Sequence, residues 1–160
     1  MIEKIRKVYT APFYLSMNFD NPDPEQLRRI ASLGRDAELQ EILWMLETSE
    51  WRSRRMGAWF SLVRPEPEVG TAVLASLRTA DGYLTAPDLA VVAVRLLGTE
   101  ALPAIIDYQE RAAVVGHGRL GRTSVLIELL GGMEVRDRPT ENDRDFIAKM
   151  ISVAELIEAS

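Results

Sequence analysis

The sequence predicts an all-α protein built from stacked antiparallel helix pairs. Apolar residues recur at three- and four-residue spacing in segment after segment, and no segment alternates apolar with polar residues as a half-buried strand does. The helical segments also recur in pairs. Leu43 aligns with Leu74 and Ile105, 31 residues apart, and Ala58-Trp59 aligns with Ala93-Val94 and Val125-Leu126, 32 to 35 residues apart. One pair alone cannot bury both of its apolar faces, so pairs of this length stack.

The elements follow in order. DAELQEILWMLETSE places Leu39, Ile42, Leu43 and Leu46 on one stripe, with Asp36 as N-cap and a break at Ser49 or Glu50. EWRSRRMGAWFSLV forms the next helix and is stopped by Pro65 and Pro67. PEVGTAVLASLRT buries Val69, Val73, Leu74 and Leu77, and ADGY turns the chain. TAPDLAVVAVRLLG is capped by Thr85 or Asp88 and closed by Gly98. TEALPAIIDYQERAAVV starts at Thr99 with Pro103 in its first turn, where proline is tolerated. RTSVLIELLGG is short and stops at Gly131 and Gly132. PTENDRDFIAKMISVAELIEAS begins at Pro139 and Thr140 and carries an apolar stripe from Phe146 to Ile157. The expected organisation is one domain over 1–160: an N-terminal capping segment at 1–22, helix-pair repeats at 23–132 and a C-terminal capping helix at 139–160.

Composition narrows the function classes. The 160 residues suffice for a core without metal or disulfide, and the net charge of −5 disfavours a general nucleic-acid binder. With no cysteine and a single histidine, thiolate catalysis and zinc sites find no ligands, so no metal and no cofactor are expected. No apolar run approaches 18 residues and no leader is legible at the N-terminus, so a cytoplasmic location is expected.

In ELQEILWMLETSEWRSRRMGAWFSLV, a helix, a turn and a second helix with Arg54 or Arg55 before small and large apolar residues resemble the HEAT-like repeats of α-solenoids. The later units match more loosely. KVYTAPFYLSMNF together with EWRSRRMGAWF is similar to an uncharacterised bacterial family with no assigned activity, over roughly residues 5 to 130. The first resemblance implies an α-α superhelix, and the second implies no function.

Residues 114–124, VVGHGRLGRTS, satisfy G-x-G-x-x-G and miss the phosphate-loop pattern only by Arg122 in place of lysine. A phosphate loop needs a buried parallel strand to deliver the chain, whereas DYQERAAVV upstream is helical. These glycines are therefore expected to form a turn between helices by supplying φ > 0, and no nucleotide is expected to bind. Arg111, His117, Arg119 and Arg122 then form a small positive edge beside a helix N-terminus, suited to an acidic partner or an anion.

A second candidate is EWRSRRMGAWF. At 100° per residue Trp51, Arg55 and Trp59 share a sector about 80° wide, so Arg55 can stack between two indoles. Such a patch suits single-stranded nucleic acid or a flipped base. The structural alternative packs both tryptophans between repeats and pairs Arg55 with Asp36 or Glu50. Asp81 and Asp88 flank Tyr83, and Glu141, Asp143 and Asp145 occupy a first helical turn, where they favour the macrodipole. No Ser lies in a G-x-S-x-G context. The aromatic stretch holding Tyr9, Phe13, Tyr14 and Phe19 is expected to cap the open end of the stack or to bind a partner.

The leading expectation is a protein-binding or regulatory module of the HEAT-like class, of the kind a bacterial inhibitor or immunity protein represents. The alternative is a nucleic-acid-acting protein that uses Trp51, Arg55 and Trp59, with Arg119 and Arg122 on phosphates. No catalytic constellation is complete, so no enzymatic activity is expected.

Overall fold

The computed structural model describes residues 1–13, 17, 19–64, 66–80, 82, 84–116, 119–132 and 135–160, and among them every regular element is helical. A short α1 (Ile2–Lys4) runs into a π-helical segment (Ile5–Thr10). There follow α2 (Pro24–Asp36), α3 (Leu39–Glu47), α4 (Trp51–Ser61), α5 (Pro67–Arg78) and α6 (Ala86–Leu97). After a 3-10 turn (Gly98–Ala101) come α7 (Leu102–Val114), α8 (Gly121–Leu129) and α9 (Glu141–Glu158).

The element that sequence periodicity passed over is α2. Pro24 opens it and the Asp23 side chain accepts from the Glu25 amide at 2.9 Å. Asp36, the expected N-cap of α3, is instead the last residue of α2. The cap of α3 is Glu38, in a reciprocal box with Glu41. Similarly, the helix expected from Thr99 starts after a 3-10 turn, at Leu102.

Helices α3, α5 and α7 pack one against the next, as do α4, α6 and α8, and α3/α4, α5/α6 and α7/α8 pack within pairs. Helix α2 lies on α4. The expected C-terminal cap, α9, packs on α8 of the last pair and extends across α6 to meet α2. The stretch Ala86–Val114 is long and apolar enough to cross a membrane by length and composition, contrary to the expectation that no such run exists. It is divided at the Gly98–Ala101 turn into α6 and α7, and Leu89 to Ala93 of α6 are wholly buried in the core.

The N-terminal segment is tied down by a buried polar cluster. Tyr9 donates to Glu41 at 2.9 Å and Lys4 pairs with the same carboxylate at 2.6 Å. Burial pushes Glu41 up, but Lys4, Tyr9 and the Glu38 amide outweigh it and hold the carboxyl below its ordinary value. Tyr9 also meets Phe60 edge-on at 5.4 Å, and Phe13 is buried. Tyr14 lies outside the described residues.

The glycine segment joins α7 to α8. Gly116 has φ +73°, as a turn requires, while His117 and Gly118 lie outside the described residues. Gly121 corrects the expectation: it needs no positive φ and is the first residue of α8. A Cβ at this position meets the Asp143 carboxyl, with Asp143 Cγ 2.9 Å away. That carboxyl belongs to the capping box of α9, so close approach of two helix starts explains this glycine.

Two outcomes follow. Gly116→Val and Gly121→Val each lower the unfolding free energy in urea by about 1–3 kcal/mol, the first through backbone strain and the second through overpacking. In a double-mutant cycle Asp143→Ala offsets only the second. Glu41 has a folded pKa below its unfolded value of 4.5, so its stabilisation is present above 4.5 and is lost as pH falls through the lower folded value. The stability difference between wild type and Glu41→Gln therefore shrinks in urea melts taken from about pH 7 down to about pH 3.

Candidate functional site: an arginine cleft around a buried aspartate

Successive second helices and α9 bring the two sequence candidates into one place. Arg55 on α4, Arg119 just before α8 and Arg122 at the start of α8 line a single cleft of about 190 Å³. Its remaining walls are Phe19, Leu84, Pro87 and Phe146, and Asp88 sits in the first turn of α6 at its floor.

Asp88 is 4% exposed. Its Oδ1 accepts from Arg55 Nε at 2.9 Å and from the Trp59 indole N–H at 2.7 Å. Burial pushes the Asp88 carboxyl up from its ordinary value, against Arg55 and the Trp59 N–H, which favour the charged form. A buried carboxylate needs such donors, because an unpaired one costs several kcal/mol, on the order of 3–5. The expected partner of Arg55, Asp36 or Glu50, is thus replaced by a carboxylate on the next helix pair. Glu50 instead caps its own helix, accepting from the amides of Arg52 and Ser53.

The tryptophan sandwich takes a different form from the one expected. Trp59 is wholly buried, with Phe19 packed against it at 5.6 Å, and Trp51 is covered by the Arg52 guanidinium at 4.6 Å. Arg55 lies over Phe19 at 5.5 Å, and Phe19 meets Phe146 edge-on at 5.6 Å. Arg122 stacks on Phe146, its guanidinium 3.5 Å from the ring centroid. This guanidinium is half-buried, and among the described residues it has no hydrogen-bond acceptor or ion pair. Burial presses it below its ordinary value and Arg119 adds to this, while Asp143 and Asp88 oppose it.

A second cleft of about 460 Å³ adjoins the first through Arg119 and Arg122 and continues past Arg138, Thr140 and Asn142. Asp137 and Asp143 also line it, so its charge is mixed. Arg111 parts from the expected positive edge: it donates to Leu77 O at 3.3 Å and faces α5. His117 lies outside the described residues. No cluster of metal-ligating side chains occurs among the described residues.

Sequence reasoning did not single out Phe146 or Arg138 for the site, and it read Asp88 as a helix cap or a flanking carboxylate and Phe19 as part of a capping or partner-binding stretch. Asp88 had a ready local explanation as a helix cap, but Arg55, Asp88 and Arg122 are 33 and 34 positions apart, close to the spacing of successive helix pairs, and that spacing was the signal. Comparison of the chain with protein families, with curated proteins and with solved structures finds no match. The molecule is described by what it contains: an all-helical chain with an arginine-lined cleft.

In urea, Asp88→Ala lowers stability by about 3 kcal/mol because Arg55 and the Trp59 N–H lose their acceptor. The double variant Asp88→Leu with Arg55→Met recovers only the part of the loss that comes from the unpaired Arg55 charge, because the buried Trp59 N–H still lacks an acceptor.

Proposed function

We propose that the chain is a HEAT-like protein-binding module that captures an acidic group of a partner protein in the Arg55–Arg119–Arg122 cleft, and regulates that partner by covering it. The helix pairing described above supports the repeat assignment. The observation that carries the binding role is Arg122. Its planar face is spent on Phe146, which leaves the N–H edge to meet an oxyanion, and no acceptor among the described residues takes it. Desolvating a guanidinium without an acceptor is unfavourable, and a ligand carboxylate repays that cost.

A protein partner fits better than a nucleic acid. The chain is acidic overall, and Asp88, Asp137 and Asp143 interleave with the arginines, which repels a continuous run of phosphates. Trp59 offers no exposed ring for base stacking.

The test compares poly-L-glutamate with a thymidine homopolymer at low salt by fluorescence anisotropy. Poly-L-glutamate binds, and Arg122→Glu weakens it by about tenfold or more, the scale of one charge-assisted contact. Tighter binding of the thymidine homopolymer, lost on the same substitution, transfers the site to the nucleic-acid reading.

A further inference from the structure

The cleft holds more than a carboxylate needs. Its volume of about 190 Å³ has room for several waters, and so for more than a single small group. Its cations are not spread evenly in effect, because Arg55 is neutralised by Asp88 at the floor. A ligand anion therefore stays at the Arg122 side, and the floor repels a second one.

The rest of the lining is apolar. Leu84 is 49% exposed beside Pro87, and Phe19 and Phe146 complete the surface. A large apolar side chain left open at the rim of a charged cleft gains by contact with another apolar group. Charge complementarity and this wall together define the occupant.

We infer that the cleft reads a short extended segment of the partner protein in which an acidic residue lies next to a large apolar one. The apolar side chain enters between Leu84, Pro87 and the two phenylalanines, and the carboxylate meets Arg122. The segment continues into the adjoining cleft of about 460 Å³, where Arg138 takes a second acidic residue. This inference rests on the protein-binding reading above and adds the apolar half of the recognition.

Three blocked peptides test it, each titrated into the full chain and followed by backbone amide NMR shifts: Gly-Glu-Leu-Glu-Gly, Gly-Glu-Gly-Glu-Gly and Gly-Lys-Leu-Lys-Gly. The first binds about tenfold more tightly than the second, the scale of one buried apolar side chain, and the third does not bind. Leu84→Ser, an exposed substitution checked for folding by circular dichroism, erases the difference between the first two. Arg122→Ala weakens both.

Equal binding of the two glutamate peptides, both lost in Arg122→Ala, overturns the apolar anchor and leaves the acidic-partner reading standing. Failure of both glutamate peptides to bind overturns the two together. A concentration-dependent dimer in sedimentation that Leu84→Ser dissolves assigns the wall to a second copy of this chain, against the inference.

Discussion

One oxygen organises the centre of this molecule. Asp88 Oδ1 receives both the Arg55 guanidinium and the Trp59 indole N–H, and these two donors stand four residues apart on one face of α4. Because the carboxylate is buried, leaving either donor off it is costly, and α4 has little freedom to rotate against α6. Trp59 is thereby fixed in the core. Phe19 packs on Trp59 and under Arg55, Phe146 packs on Phe19, and Arg122 stacks on Phe146. Each wall of the cleft follows from the previous contact, so a structural interaction in the core sets the geometry of a surface site.

The N-terminal segment takes part in the same chain of contacts. Its π-helical start is held by Glu41 on α3, and its Phe19 forms a wall of the cleft. Asp20 reaches Lys149 on α9 at 2.8 Å. The segment thus bridges the first helix pair and α9 as well as covering apolar surface.

Helix pairs were legible because apolar periodicity is a local property, and the starts at Pro67, Thr85 and Thr140 follow from local proline and capping chemistry. Helix α2 was missed although Leu27, Ile30 and Leu33 recur every three residues, since charged residues outnumber them in the segment. That oversight also misplaced the cap of α3 onto Asp36. At the site, Arg55, Arg119 and Arg122 were legible as cations in two separate segments. Their convergence was not, because it depends on how α8 and α9 settle against α6. Asp88 shows the general difficulty: an acidic residue just after Pro87 at a helix start looks like a cap, and only the partner 33 residues upstream shows otherwise.

The order in which the helices pack explains why a cation is left over. Arg55 in the second turn of α4, Asp88 in the first turn of α6 and Arg122 at the start of α8 lie on successive packed helices, so stacking these helices sets them in a row of alternating sign. In such a row each charge is screened by the next, and an aspartate between two arginines is shared. Here the sharing is unequal. Asp88 accepts hydrogen bonds from Arg55 and Trp59 and acts on Arg122 only through its longer-range field. After α8 the pairs end, and the neighbour on that side is α9, which offers Phe146 to the face of Arg122 rather than a carboxylate to its edge. The nearby Asp143 is occupied by Thr140 in the cap of α9. A stack that ends in this way carries one half-buried guanidinium with no acceptor on its edge among the described residues, and position in the helix order, more than residue type, is what makes Arg122 the proposed binding group.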